Sequence, residues 1–232
     1  MLFRSASYSG SGTTVTNLAN TAQSGTMYGN VSYSSIDGGK FVFNNYLDTT
    51  NQITAGNIGY PTSVVDPWSA EAWVYVPSSA TWSINNNRGP LYYRGSYGGG
   101  HGLMRSQVNN YIGVTLRGNT TAQAERIGTI SRDRWNQVVG VWTGGAGGTG
   151  NLMCYINGTL VSSGTTTQDD PLEPAFWLIG SSNWISNAAG AVFEGNVSSV
   201  KLYNRALTSD EVAQNFNALR RSEEHTSELQ SH

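Results

Sequence analysis

Short apolar runs alternate with breaks rich in Gly, Asn, Ser and Pro along most of this 232-residue chain. The pattern is typical of many short β-strands joined by hairpins, because turns favour these residue types. No repeat at a fixed period and no linker interrupts it, so we expect a single domain. The clearest predicted strands lie at Lys40 to Phe43, Ala70 to Val76, Tyr111 to Arg117, Trp135 to Trp142, Asn151 to Ile156, Phe176 to Gly180 and Ala191 to Tyr203.

Alternation within one of these strands defines its two faces. The odd-numbered residues from Glu71 to Tyr75 fall on one face, and the even-numbered residues from Ala72 to Val76 fall on the other. Both faces carry bulky side chains. Further along, the dipeptide Asn157-Gly158 separates two strand-like runs. It predicts a tight hairpin, because type I′ turns require a positive φ at both central residues.

The last predicted strand runs directly into a helix. Thr208 and Glu211 have the spacing of a capping box, and Leu207 and Val212 that of a hydrophobic staple. Phe216 continues the apolar face at helical spacing, so we expect a short amphipathic helix that packs on the sheet.

These C-terminal residues also carry a family resemblance. Phe193 to Leu207, continued by Thr208 to Val212, resembles the last strand and closing helix of laminin-G-like domains of the concanavalin A-like lectin/glucanase family. Trp135 to Val139 with Tyr155 to Gly158 resembles the central hairpin of that family. The resemblance implies an all-β fold, a two-sheet antiparallel jelly-roll sandwich with one short C-terminal α-helix, over residues 1–220. The ending Gln214 to Arg220 is most similar to domains of bacteriophage virion proteins.

Residues 221–232 resemble a sequencing adapter translated in frame, and we place them outside the domain as a non-native tail. On this interpretation the source is a metagenomic read and the true C-terminus is missing. Without the tail, acidic and basic residues balance and His101 is the only histidine.

Composition narrows the classes of partner. Charged residues make up 12% of the chain, and the basic ones do not cluster, which argues against nucleic acid because a phosphate backbone requires a basic surface. No apolar run approaches the roughly 20 residues needed to cross a bilayer and no signal peptide is recognisable, so we expect no membrane insertion. Cys154 is the only cysteine, predicted to be a small core residue, and an internal disulfide is impossible.

Catalytic motifs are weak. Glycan-hydrolysing jelly rolls of the family carry a Glu-x-Asp-x-(x)-Glu strand motif that this chain lacks, and Glu71 stands alone in its strand. His101 lies in a glycine-rich segment where we predict a turn, with no nucleophile motif beside it. Gly145 to Gly150 spells G-x-G-x-x-G, but a strand follows it, which predicts a hairpin loop rather than a nucleotide site. We therefore predict no enzyme activity and rank a glycoside hydrolase last.

A calcium site is a candidate in the acidic segment that contains Asp169, Asp170 and Glu173, because Ca²⁺ prefers carboxylate and carbonyl oxygens. The alternative is a solvated acidic loop. Asp66 and Glu194 would complete a site only if the fold brings them near. The resemblance adds a departure, since relatives often carry aspartates where this chain has Asn44 to Tyr46, and many have an acidic residue in place of Ser198.

Ligand binding is the more favoured chemistry. Flat aromatic rings offer apolar faces to sugar C–H groups, and polar neighbours satisfy hydroxyls. The alternative is that these aromatics anchor loops or fill the core, as we expect for Trp73, Trp135 and Trp142. The candidate ligand-binding residues are Trp82, Tyr93, Arg94, Tyr97, His101 and Trp184, with Tyr92 in the same segment as the first five.

Two functional hypotheses remain. In the first, the domain is a non-catalytic carbohydrate-binding module of a phage virion, such as a tail fibre, that attaches to host-surface glycans. In the second, it is a structural or protein-interaction module of a virion or of a secreted bacterial assembly, in contact with other virion proteins. Either hypothesis places it in a virion or outside the cell. Fold alone does not separate them, because many functions share this architecture.

Overall fold

Two antiparallel β-sheets, packed face to face, and one C-terminal helix make up the fold. The computed structural model describes residues 1–44, 50–55, 61–80, 89–94, 100–105, 110–117, 124–168, 177–181 and 193–229. Sheet A contains β1 (Leu2–Arg4), β4 (Ser32–Ser34), β5 (Lys40–Phe43), β7 (Trp68–Tyr75), β12 (Trp135–Trp142), β13 (Thr149–Ile156), β14 (Thr159–Thr167) and β16 (Gly195–Tyr203). Sheet B contains β2 (Thr14–Val15), β3 (Gly25–Tyr28), β6 (Gln52–Thr54), β8 (Leu91–Arg94), β9 (Gly100–Arg105), β10 (Tyr111–Arg117), β11 (Ala124–Thr129) and β15 (Trp177–Ile179).

Sequential hairpins and long crossovers both contribute to the strand order. Sheet A runs β14-β13-β12-β7-β16-β5-β4, with β1 also paired to β16. Sheet B runs β11-β10-β9-β8-β15-β6-β3-β2. Short 3-10 turns lie at Ser5–Ser7, Thr21–Gln23, Ile36–Gly38 and Ala146–Gly148, and helix α1 spans Ser209–Leu229. The predicted two-sheet antiparallel sandwich with a C-terminal helix is therefore confirmed.

The hydrophobic core lies between the sheets and follows the predicted alternation. Ala72, Val74 and Val76 belong to the core cluster, and Trp68, Trp142 and Trp177 are its largest fully buried side chains. Cys154 is fully buried in the same cluster, as predicted, and burial raises the pKa of its thiol to about 12. The cysteine is a core residue, and its thiol stays protonated at neutral pH.

Two of the tryptophans that we expected in this core lie elsewhere. Trp73 is buried, but on the opposite face of β7, where it stacks on Phe216 of α1 at 5.7 Å between ring centroids. Trp135 is partly exposed at the start of β12 and packs edge-on against Tyr75. By strand alternation and register, both residues lie on the same face of sheet A as Glu71, opposite the core residues.

Local sequence signals determine both the hairpin and the helix start. Asn157 and Gly158 have φ values of 51° and 79°, as a type I′ turn requires. At the helix start, the backbone N–H of Thr208 donates to Glu211 at 2.9 Å, and the backbone N–H of Glu211 donates to the Thr208 hydroxyl at 3.3 Å. The predicted capping box is confirmed.

Leu207 and Val212 flank this cap and pack into a second buried cluster with Val139, Val141 and Tyr155. The helix thereby covers the face of sheet A that is turned away from sheet B, and we call such a face the outer face of a sheet. The helical backbone continues to Leu229, past the domain end that we placed at residue 220. That boundary and the origin of residues 221–232 stay predictions.

Candidate ligand-binding site

The outer face of sheet B carries a continuous row of aligned residues. Strand register pairs each with the next across seven neighbouring strands, and their chain neighbours Leu91, Leu103, Val114 and Ile179 belong to the core on the other face. We call this set the sheet-B row: Thr26, Thr54, Leu178, Tyr92, Gly102, Thr115 and Glu125.

Gly102 occupies the middle of the row for a steric reason. Its φ is 145°, and a Cβ at this position would lie 2.5 Å from the carbonyl oxygen of Leu91. No side chain therefore separates Tyr92 from Thr115 along the row. Tyr92 is 8% exposed and Thr115 is 1% exposed, so both side chains are buried at this point of the face.

The row combines a phenol ring, hydroxyl groups and one carboxylate. Partial burial raises the pKa of Glu125. Most glycosidases place two carboxylates across the scissile bond, and the row contains one, Glu125.

The buried carboxylate of Glu71 has a structural role on the outer face of sheet A. Glu71 is fully buried, and its Oε1 lies 2.9 Å from Lys201 Nζ. Its Oε2 accepts hydrogen bonds from the Tyr203 hydroxyl at 3.3 Å and from the Asn215 amide at 3.0 Å. Burial, and then the negative charge of Glu71, raise the pKa of the Tyr203 phenol. Four groups are thus linked under α1, and the carboxylate of Glu71 is the centre of this network.

Three other acidic residues also bind groups of the protein. Glu211 forms a bidentate pair with Arg205 at 2.7 Å, and this guanidinium lowers the pKa of Glu211 to about 2. Asp133 accepts from the backbone N–H of Ser78 at 2.8 Å. Asp66 accepts hydrogen bonds from the backbone N–H groups of Thr62 and Ser63. Burial alone would raise the pKa of Asp66, but these bonds and one from the Thr62 hydroxyl lower it below its usual value.

His101 lies in strand β9 between the sheets, and the turn that we predicted there is wrong at this residue. It is 1% exposed, stacks on Trp68 at 5.0 Å between ring centroids, and meets Trp177 edge-on at 5.7 Å. Its Nδ1 lies 3.5 Å from the amide nitrogen of Gln168. Burial lowers the pKa of His101 to about 3, so the ring is neutral at physiological pH. In the described structure it is part of the interior, and its predicted ligand contact stays untested.

The other predicted ligand residues form two groups, according to the end of sheet B at which the neighbouring described residues lie. Trp82 and Trp184 lie outside the described residues, as does Tyr97; for Tyr93 and Arg94 the structure describes only the backbone, in β8. The chain flanking Trp82 and Trp184 joins sheet B where β8 begins, because Gly180 donates to Pro90 O and accepts from the backbone N–H of Phe193. The chain flanking Tyr97 joins at the other end, where Arg94 pairs with Gly100.

The predicted calcium ligands Asp169, Asp170 and Glu173 also lie outside the described residues. Their segment joins the sandwich at the Tyr97 end, since Gln168 donates to Gly148 O and Trp177 pairs with Tyr93. Among the residues that the structure describes, no three His, Cys, Asp or Glu side chains gather as a metal site would require. The calcium site stays a prediction.

The structure also contains no helix, within its described part, with the length and apolarity of a membrane span.

Comparison with known proteins identifies the family. The family model described as the concanavalin A-like lectin/glucanases superfamily, in its Laminin_G_3 form, matches residues 44–213. The chain belongs to this superfamily. No curated protein sequence matches it.

Solved structures share this fold at low sequence identity. The receptor-binding domain of botulinum neurotoxin type G superposes with a TM-score of 0.63 at 17% identity, over 94% of this chain and 51% of that one. Domain 4 of AbnA, an extracellular arabinanase from Geobacillus stearothermophilus solved with arabinotriose, gives 0.62 at 19% identity, over 82% and 87%. A Trypanosoma rangeli sialidase gives 0.60 at 15% identity, over 93% and 32%. The chain spans about half the length of the neurotoxin domain.

Sequence reasoning missed the sheet-B row because its members come from seven separate strands, five of them short or rich in glycine. Tyr92 was recognisable as an aromatic in a polar segment. Thr115 and Glu125 carried no motif, and only the strand register brings them beside it.

Proposed function

We propose that this domain is a non-catalytic carbohydrate-binding module whose ligand lies on the outer face of sheet B. The observation that carries the proposal is the sheet-B row, which aligns Tyr92, Gly102, Thr115 and Glu125 on the face that α1 does not cover. Tyr92 and Thr115 are buried in this row, and Glu125 is partly exposed, so its carboxylate is the group that we propose orients sugar hydroxyls. The arabinanase domain solved with arabinotriose supports the ligand class, because this chain matches most of its length.

The absence of a carboxylate pair supports binding over hydrolysis. In the described part of the chain, Glu71, Asp66, Asp133 and Glu211 are each bound to other groups of the protein. Glu125 therefore has no partner carboxylate in its row to complete an acid–base pair.

The predicted aromatic residues would extend this face. Pro90, which follows Trp82 in the chain, and Gly180, which precedes Trp184, are hydrogen-bonded to each other at one end of sheet B, and we propose the two tryptophans as one pair of sugar-stacking residues. Arg94 and Tyr97 are proposed as contacts at the opposite end, near the proposed calcium ligands Asp169, Asp170 and Glu173. Tyr93 pairs in register with Trp177 and His101, which belong to the interior, so its ligand contact stays a prediction. The module would then hold an extended glycan rather than a single sugar.

Glycan-array binding of the full chain tests the proposal, repeated with calcium and with a chelator. We expect binding to a polysaccharide class that Trp82→Ala and Trp184→Ala each weaken about fivefold or more, since a stacked ring contributes about 1 kcal/mol or more. Leu160→Ala is the matched control, because Leu160 is an exposed apolar side chain on sheet A. Silence across the array contradicts the proposal and favours a protein-interaction module.

A phage virion is the setting we propose for this module, on the resemblance of its C-terminal sequence alone. In that setting the isolated domain would compete with phage particles for host-surface polysaccharide. Failure of the purified domain to reduce phage adsorption, on a host whose glycan it binds, would contradict the setting and leave the binding function intact.

A further inference from the structure

A small pocket lies outside both sheet faces, where the C-terminal end of β16 meets the chain that follows β2. Its volume is about 290 Å³, at the lower limit for small-molecule sites. Side-chain amides form most of its polar wall, and a short apolar patch forms the rest. The amides belong to Asn17, Asn20, Gln23 and Asn204, and the patch to Leu202 and Ala19.

Asn17 is the fixed element of this pocket. It is 1% exposed, and its Oδ1 accepts hydrogen bonds from the backbone N–H groups of Leu2 and Ala19, both at 3.1 Å. These two donors determine which side of the amide is the oxygen. The amide nitrogen has no hydrogen-bond partner among the residues that the structure describes, and it is not one of the enclosed unpaired atoms, so solvent reaches it. It is therefore a fixed donor that a ligand in the pocket can reach.

The neighbouring amides are arranged by the turn that follows Asn17. The backbone N–H of Asn20 donates to Asn17 O at 3.2 Å, and that of Gln23 donates to Asn20 O at 3.0 Å. The Asn20 amide nitrogen donates to Gln23 Oε1 at 3.1 Å, which leaves the Gln23 amide nitrogen as a second donor. Asn204 reaches the pocket from the opposite side, after β16, and is exposed.

The chemistry of the wall selects a neutral, oxygen-rich ligand. The described lining contains no carboxylate, which disfavours a cation. The Met1 amine also lines the pocket and donates to Leu202 O at 3.0 Å, and burial lowers the pKa of this amine, which favours its uncharged form. Amide donors suit hydroxyl and ring oxygens, and Leu202 offers an apolar surface to C–H groups. We propose that this pocket binds a single neutral sugar or polyol unit, independently of the sheet-B row and its aromatic residues.

Titration of the full-length, isotopically labelled chain with D-glucose, D-galactose and L-arabinose tests this proposal by NMR. We expect at least one of these sugars to shift the backbone amides of Leu202 and Asn204. Asn17→Asp keeps the oxygen that holds Leu2 and Ala19 but removes the donor, and it should raise the Kd about tenfold, the effect of one lost hydrogen bond. Asn204→Ala changes an exposed residue, so it tests the pocket without risk to folding.

Asn217→Ala is the control, since Asn217 is an exposed asparagine on α1 that does not line this pocket. The proposal is overturned if none of the three sugars shifts Leu202 and Asn204, or if Asn17→Asp and Asn204→Ala both bind like the unmodified chain. It is also overturned if Trp82→Ala abolishes these shifts while Asn17→Asp does not. Array binding that persists without such shifts would leave the proposed function standing and remove only this pocket.

Discussion

The outer faces of the two sheets follow the same alternation rule but have opposite roles. On sheet A the polar residues are bound to one another: Glu71 holds Lys201, Tyr203 and Asn215 beneath α1, and Phe216 covers Trp73. On sheet B the polar residues Thr115 and Glu125 lie in a row with Tyr92 and a glycine, and α1 does not reach them. The contrast separates a face that α1 covers and that stabilises the fold from a face that α1 leaves uncovered and on which we propose ligand binding. Substitutions on the first should lower stability, and substitutions on the second should lower binding.

The largest expected effect at neutral pH is that of Glu71→Ala. Loss of this carboxylate leaves Lys201 largely buried without its counter-charge, together with two hydrogen-bond donors. We expect a loss of about 3 kcal/mol in the free energy of unfolding, measured by urea denaturation. Glu211→Gln is the control, since its pair with Arg205 is exposed and should contribute far less. Equal effects of the two substitutions would contradict the structural role of the buried network.

Acid sensitivity should come next and should depend on His101. Its folded-state pKa of about 3 lies below that of an unfolded histidine near 6.5, so only the unfolded chain takes up a proton between these values. Its contribution to stability is therefore complete above pH 6.5 and is lost as the pH falls towards 3, with a slope of about 1.4 kcal/mol per pH unit. His101→Leu should remove this slope from a series of thermal melts, and an unchanged slope would assign acid unfolding to other groups.

Loss of the helix cap should have a smaller effect. Thr208→Ala removes the hydroxyl that accepts from the Glu211 backbone N–H, and we expect about 1 kcal/mol of destabilisation with no change in glycan affinity. Thr208→Ser retains the hydroxyl and serves as the matched control. A parallel loss of glycan binding would show that the sheet-A face takes part in recognition.

Glu125→Gln should have the smallest effect on stability. Unlike Thr208→Ala, it should lower glycan affinity rather than stability. Since burial raises the pKa of Glu125, ionisation above pH 4.5 works against folding, and the neutral side chain should leave the thermal midpoint at pH 7 unchanged or slightly higher. Glycan affinity should fall. A variant that unfolds more easily and binds normally would place Glu125 with the structural residues.

Local signals account for most of what the sequence could predict. The capping box at Thr208, the Asn157-Gly158 turn and the alternation in β7 each depend on neighbours a few residues apart, and all three are confirmed. The position of Trp73 was harder to predict. Side-chain alternation along β7 places it on the same face as Glu71, but a large aromatic side chain is usually a core residue. Its partner Phe216 lies in another element, and no local pattern links the two.

The candidate site depended on information that the sequence does not display. The glycines around His101 suggested a turn, yet Gly102 is required within β9 by the close approach of Leu91. The sheet-B row exists only through the register of seven strands, and Asn17 gains its role from backbone donors at Leu2 and Ala19. Long-range pairing, rather than residue type, creates these features.

The most direct test is to titrate the isotopically labelled domain with the glycan that gives the strongest array signal, and to map the amides whose NMR shifts change. Binding on the outer face of sheet B predicts that the affected amides include those of Thr54, Tyr92, Thr115 and Glu125, while Glu71, Trp73 and Lys201 stay unchanged. Shifts concentrated on Glu71, Trp73 and α1, with none along the sheet-B row, would contradict it.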